Sequence, residues 1–198
     1  MKKTNTILII ALAAFLAACG AVGGGKSEIT TKVGDQEKKF EPTSTWAYHS
    51  TKNYSLLIDG NREMSTSSIT TVFLANFELD SSQAFISLGK QKLDKPEQVK
   101  VTFDFSGEKG STVETSVVKG EYTPEIDDKE KYMKISSVTI YRFLDGKQEE
   151  IEFDRKKTTG KLTINGVSGT TVSGQIDISD GKNSIKGTFS ANGDKSVK

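Results

Sequence analysis

A single cysteine leaves the chain with no means of closing an internal disulfide, and at position 19 it stands outside the body of the protein. A single histidine, His49, excludes a zinc site built on two imidazoles. A Ser-His-Asp triad would have to pass through that one residue, with no local cue to its partners. Neither Gly-x-Ser-x-Gly nor the dinucleotide fingerprint Gly-x-Gly-x-x-Gly occurs. An excess of one charge is missing as well. With 27 Lys and Arg against 26 Asp and Glu and no basic cluster, nucleic acid is excluded as a partner. No cofactor and no metal is expected. One enzymatic reading survives, a carboxylate-dependent hydrolase, because glycoside hydrolysis needs only two acids at the right separation.

Long apolar runs are also scarce, and the one present is at the start. Lys2 and Lys3 precede Ile7–Ala18, twelve residues without a polar side chain. At 1.5 Å per residue that is too short for a hydrocarbon core of ~30 Å, so it reads as a signal peptide. It ends in Leu16-Ala17-Ala18-Cys19. These four residues resemble the lipobox of bacterial lipoproteins. The resemblance implies a diacylglyceryl thioether on Cys19 and cleavage just before it. Two or more acyl chains make a stable anchor at ~0.8 kcal/mol per buried CH₂. The expected divisions are a signal peptide over 1–18, a Gly-rich tether over 19–27 and a single domain over 28–198. Gly20 rather than Asp follows the cysteine. In Gram-negative members of the family that favours the outer membrane or its periplasmic face over retention at the inner membrane.

Beyond the tether the apolar period is two. Ile29, Thr31 and Val33 lead to a Gly34-Asp35 turn, with Glu37–Phe40 returning. Tyr54–Ile58 is a short strand ending at Asp59-Gly60. Ile69, Thr71, Phe73, Ala75, Phe77 and Leu79 share one face, with Val72 and Leu74 on the other, which predicts a central strand covered on both sides. Val99, Val101, Phe103 and Phe105 make the clearest half-buried strand. A weaker strand is predicted at Val113–Val118, and a long one at Met133–Phe143 whose parity change asks for a bulge near Ser136-Ser137. Asp145-Gly146 turns into Glu149–Phe153. Leu162 and Ile164 precede an Asn165-Gly166 turn, and a hairpin about Asp180-Gly181 closes the chain. In that hairpin Gly174 and Gly187 leave room for a bulky neighbour to lie across them. The only helical turn expected is at Asp94–Val99. Ten to twelve short strands with frequent turns predict an all-β antiparallel sandwich or barrel. The closing hairpin and the Val33-Gly34-Asp35 turn are similar to small β-sandwich lipoproteins of unknown function.

Trp46, Tyr48, His49 and Tyr54 are the densest aromatic cluster. They could line a ligand pocket, or serve as core packing with a surface histidine. Glu125, Asp127, Asp128 and Glu130, interleaved with Lys129 and Lys131, have the wrong spacing for a calcium loop and read as a solvated loop. The function expected is a non-catalytic binding module, held on the membrane through lipidated Cys19 and facing an envelope protein across sheet edges and loops. The alternative is a carrier with a small apolar ligand inside a barrel.

Overall fold

The computed structural model describes residues 27–58, 61–80, 85–115, 117–126 and 131–193. Cys19, the Asp59-Gly60 turn, and Asp127, Asp128 and Glu130 of the acidic run lie outside the described residues.

The chain is all-β, with one short helix among the described residues. In order it forms β1 (Glu28–Val33), β2 (Gln36–Phe40), β3 (Ser44–Ile58), β4 (Asn61–Ala75), α1 (Phe85–Lys90), β5 (Val99–Ser106), β6 (Gly120–Pro124), β7 (Lys134–Leu144), β8 (Lys147–Glu152), β9 (Thr159–Ser168), β10 (Thr171–Ser179) and β11 (Asn183–Gly193). Pairing runs β10-β9-β6-β7-β5-β4-β3-β11 and returns to β10 through the closing hairpin, so eight strands close a barrel. The β1–β2 hairpin adds to β11 and β8 adds to β7, both outside the ring.

Two of the ring pairings are parallel, which the antiparallel expectation did not contain. They join Trp46 and Ala47 to Asn192 and Gly193, and Lys134 and Ile135 to Thr123 and Pro124. Each seam is two residues long. Two antiparallel sheets thus lean together at two corners, and the sandwich and barrel descriptions meet in one object.

Alternation explains the core. Val99, Val101, Phe103 and Phe105 turn inward with Val72, Leu74, Ile135, Val138, Ile140, Leu162, Ile164, Ile176, Ile178, Ile185 and Phe189. Aromatic rings fill the middle: Phe103 meets Phe189 edge-on at 5.3 Å and Phe105 meets Tyr122 at 4.8 Å. Burial raises the Tyr122 phenol to about 12, and its hydroxyl donates to the Val118 carbonyl at 2.7 Å. The outward face of β9, β10 and β11 carries Lys161, Asp177 and Lys186, with Lys186 paired to Asp177 at 3.1 Å. A polar wall around an apolar filling is the reverse of a barrel that crosses hydrocarbon.

The turns follow their residues. Gly34 takes φ +58 in the β1–β2 hairpin, and Asp145 and Gly146 take φ +51 and +78 between β7 and β8, the mirror-image geometry that two-residue hairpins require. The parity change in β7 is a bulge: Asp104 pairs with Ser137 and Phe105 with Ile135, which leaves Ser136 over. Gly174 and Gly187 answer to backbone rather than to a bulky side chain. A Cβ on Gly187 would lie 2.0 Å from the Glu28 carbonyl oxygen, and one on Gly174 would lie 2.1 Å from that of Thr163.

Four local expectations are corrected. Asn165-Gly166 is no turn, for β9 runs through it with a register shift opposite Ser173-Gly174, and the chain reverses at Gly169-Thr170. Residues 113–115 and 117–118 form no strand. Residues 94–98 form no helix, with a bend at 95 and a turn at 96–97. The helix is α1, six residues long, far below the length at which a helix stands alone in water. It is held from outside. Leu88 packs on the outer face of β3 and β4 with Phe73, Ala75, Leu79 and Trp46, a second core that covers the other side of β4. Lys100, on the outward face of β5 and fully buried, donates to the carbonyls of Leu88, Gly89 and Gln91 at 3.3, 2.8 and 2.9 Å. Those carbonyls have no partner within the helix, so the ammonium caps the last turn. The Tyr141 ring lies 4.4 Å from the same ammonium, and burial lowers its pKa to about 8.

Candidate functional site

Strand alternation divides the aromatic cluster. Ala47 pairs with Val72 and faces the barrel core, so odd positions of β3 point inward there and even positions point outward. Trp46 is therefore in the outer core beside α1, its indole N–H donating to Ser44 Oγ at 3.2 Å. Tyr48 is half-buried on the same outward side. Tyr54 stands eight residues along β3 from Trp46, about 26 Å at 3.3 Å per residue. There it meets Tyr132 edge-on at 5.9 Å, with Lys52 Nζ 5.3 Å from its ring centre. The four do not converge on a common cleft, and His49 alone turns inward.

His49 sits at one end of the barrel, hereafter the mouth, beside the seam between β3 and β11. Its Nδ1 lies 2.9 Å from Thr70 Oγ1. Burial pulls the imidazole below its usual range, against a hydrogen bond with the Thr170 backbone that raises it. The ring thus ties β4 to the β9–β10 turn. Thr170 Oγ1 in turn donates to the Gly193 carbonyl at 2.8 Å. Between His49, Val113–Thr115, Val117, Val167, Gly169, Thr170 and Val172 lies a cleft of about 120 Å³. Pockets for drug-sized ligands run to roughly 300–1,000 Å³, so this one takes a single side chain or a small group. Its walls are three half-buried or buried valines, two threonines and the imidazole, with Val113 and Glu114 at the exposed rim.

The loop that forms one wall is fixed by serines whose role was not visible in the sequence. Ser68 N–H donates to Ser111 Oγ at 2.9 Å, Ser111 Oγ donates to the Glu108 carbonyl at 2.6 Å, and Ser67 Oγ donates to the Gly107 carbonyl at 3.1 Å. Val113 N–H donates to Thr51 Oγ1 at 2.8 Å. The run Ser65-Thr66-Ser67-Ser68 within a strand, opposite a glycine, was the available signal. A Cβ on Gly107 would come 2.3 Å from Ser68 Oγ.

Glu125 corrects the expectation of a solvated acidic loop. It is buried and held by Lys131 and Arg155, each at 2.5 Å. A carboxylate removed from water must be paired in this way. It lines a crevice of about 40 Å³ together with Ser137, Glu152 and Arg155. That volume admits on the order of two waters and no sugar ring. Among the described residues no three His, Cys, Asp or Glu side chains group as a metal site.

One motif was overlooked in the sequence. Gly20 through Ser27 has the letters of a phosphate-binding loop, Gly-x-x-x-x-Gly-Lys-Ser. That loop works by opening a helix whose N–H groups face the phosphate. Here Ser27 leads into strand β1 rather than a helix, and its Oγ accepts from Ser190 N–H at 3.0 Å. No helix among the described residues is long and apolar enough to cross a membrane. Compared with known protein families, curated proteins and solved structures, the chain matches none of them.

Proposed function

We propose that the protein is a lipid-anchored component of a bacterial cell envelope, attached through Cys19, that acts as a non-catalytic binding module and grips a protein partner at the barrel mouth. The carrying observation is where space is and is not. The described interior is packed with Phe103, Phe105, Tyr122 and Phe189, each 3% exposed or less, which favours a binding surface over a ligand carried inside. The side-chain-sized cleft opens instead beside the long β3–β4 arm. That arm extends past the last β5 pairing at Ile69 and bears exposed Met64, while Val113 is exposed on the cleft rim. An exposed valine on the rim of a small cleft, with an exposed methionine farther out along the arm, suits an anchor residue from a protein surface better than a free metabolite. The anchor reading rests on the Leu-Ala-Ala-Cys motif.

Two experiments test the two parts. Cys19→Ser should accumulate as uncleaved precursor without incorporating labelled palmitate; normal processing and labelling would refute the anchor. A photo-cross-linking residue at Met64 or Val113 should give one discrete protein adduct in intact cells, and the same residue at Gln175, on the outer wall, should give none. Equal adducts at all three positions, or none, would refute the mouth as the contact surface.

A further inference from the structure

Each ring strand has a partner on both sides over part of its length, whereas each outermost strand added to the ring has one side with no described strand on it. Among the described residues β2 pairs with β1 alone, and β8 with β7 alone. An unpaired strand edge is a template for another chain, and side chains decide which chain it accepts.

The register of β2 fixes what its edge offers. The two-residue turn at Gly34-Asp35 makes Val33 and Gln36 a hydrogen-bonded pair, and then, alternately, Thr31 with Lys38 and Ile29 with Phe40. Glu37 and Lys39 therefore aim their N–H and C=O groups away from β1, and both side chains are exposed. The even side chains serve the other face. Lys38 Nζ donates to the Pro96 and Glu97 carbonyls at 3.4 and 2.8 Å, and Arg142 Nη1 donates to Gln36 Oε1 at 2.7 Å. These contacts lie beneath the strand, at side-chain length, and leave its edge open.

We infer that β2 pairs antiparallel with β2 of a second copy of this chain, about a two-fold axis at Lys38. This register sets Glu37 opposite Lys39 of the second copy, twice. Each such pair exchanges two backbone hydrogen bonds, so four groups on each copy's edge are satisfied. Each pair also brings opposite charges face to face, the favourable cross-strand combination, with Lys39 shared between Glu37 of the second copy and Glu28 of its own chain at 2.8 Å. The symmetry of the operation demands self-complementarity, and Glu37 and Lys39 supply it. The same axis sets Lys38 opposite Lys38 of the second copy, and each of these ammoniums is drawn to the Pro96 and Glu97 carbonyls of its own chain. The outward positions of the β8 edge, Gln148, Glu150 and Glu152, include no cation, so no register there supplies opposite-charge pairs. The occupant of β2 is thus a second copy. The contact is a few residues long, in the size range of weak, transient association.

The full chain, expressed in cells and examined in their membranes, tests the pairing. Lys38→Cys sets two thiols on a non-hydrogen-bonded pair, where Cα atoms stand about 4.5 Å apart, within disulfide reach. Mild oxidation should give a band of doubled mass that is absent from the unsubstituted chain and from Lys161→Cys on the outer wall. Adding Glu37→Lys should reduce its yield about tenfold, since two attractive pairs become repulsive. Adding Glu37→Lys together with Lys39→Glu should restore it. A band no stronger than that of Lys161→Cys overturns the proposal, and so does one indifferent to charge reversal. Sedimentation of the unsubstituted chain guards against a folding defect in the cysteine variant. A concentration-dependent dimer weakened by Glu37→Lys supports the pairing, and a monomer at every concentration overturns it.

Discussion

The two ends of the barrel are built differently. At the base three hairpin connections are short, and each is specified by the residues inside it, although the long β4–β5 connection that carries α1 also returns to that end. Gly34-Asp35 and Asp145-Gly146 reverse the chain in two residues, and Asp180 organises the β10–β11 turn by itself. At the mouth the described residues of 107–119, between β5 and β6, form no strand, and Ser68 and Thr51 hold them from distant strands, while His49 ties β4 to the β9–β10 turn beside them. Local chemistry makes the base hairpins, and long-range hydrogen bonds make the mouth. A surface held by a few such bonds adapts to a partner at low cost, whereas a turn whose backbone angles are dictated does not.

The sharpest way to break the base is Gly187→Ala. The new methyl would sit 2.0 Å from the Glu28 carbonyl oxygen, which is backbone and cannot swing aside, at a φ of +153 that side chains disfavour. Loss of roughly 3 kcal/mol or more is expected. It should be uneven: amide exchange should rise first in β1 and β2, while β9 and β10 stay protected. Uniform loss of protection would mean that base and mouth are one cooperative unit.

A smaller effect at the same end comes from Asp180→Ala. Asp180 Oδ1 accepts from Lys182 and Asn183 N–H at 2.9 and 2.6 Å, and Oδ2 from Asn183 Nδ2 and Asp154 N–H at 3.0 and 3.3 Å. About 2 kcal/mol should be lost, read as a lowered urea midpoint. Burial alone would raise this carboxyl, but the four bonds outweigh it and hold the pKa below the ordinary aspartate value. Its stabilisation is therefore whole above about pH 4 and is lost as pH falls through the lower folded value. The unsubstituted chain should lose more stability than Asp180→Ala between pH 4.5 and 2.5.

The same contrast governs what the sequence disclosed. Base turns were legible because Gly and Asp act within two residues, and the β7 bulge was legible because Ile135 and Val138 cannot share a face without dropping Ser136. The second core was not. Lys100 between Val99 and Val101 reads as the wet side of a half-buried strand, and that side is in fact dry because six residues of helix from elsewhere in the chain lie over it. Nothing in Phe85–Lys90 announces a helix, since its last turn is capped by a lysine ten positions on. The aromatic cluster failed to converge for two equally simple reasons: His49 has the opposite strand parity from the other three, and eight extended residues carry Tyr54 about 26 Å from Trp46. Val113 and Val117 read as strand from their β-branched side chains, yet one is exposed and the other buried in a loop pinned by Ser111.

The smallest expected effect is at the mouth and is best seen through pH. His49 is held below the usual imidazole range chiefly by burial, so the folded protein binds fewer protons than the unfolded chain as the solution approaches that range from below. Its contribution is then fully present above about pH 6.5 and is lost as pH falls through the folded value, the reverse of a histidine that gains an acid partner. Glutamine can reach toward Thr70 and the Thr170 backbone without titrating, so His49→Gln should change stability at pH 7.5 by only about 0.5 kcal/mol. Between pH 7.5 and 5 it should lose less stability than the unsubstituted chain. If His49 is a bolt across the mouth, protonation should loosen residues 107–119 and the β9–β10 turn at pH 5, seen as faster amide exchange there than in β1 and β2. Equal acceleration at both ends would show that the imidazole acts on the whole barrel, and the division between a dictated base and an adaptable mouth would then fail at the residue that best defines it.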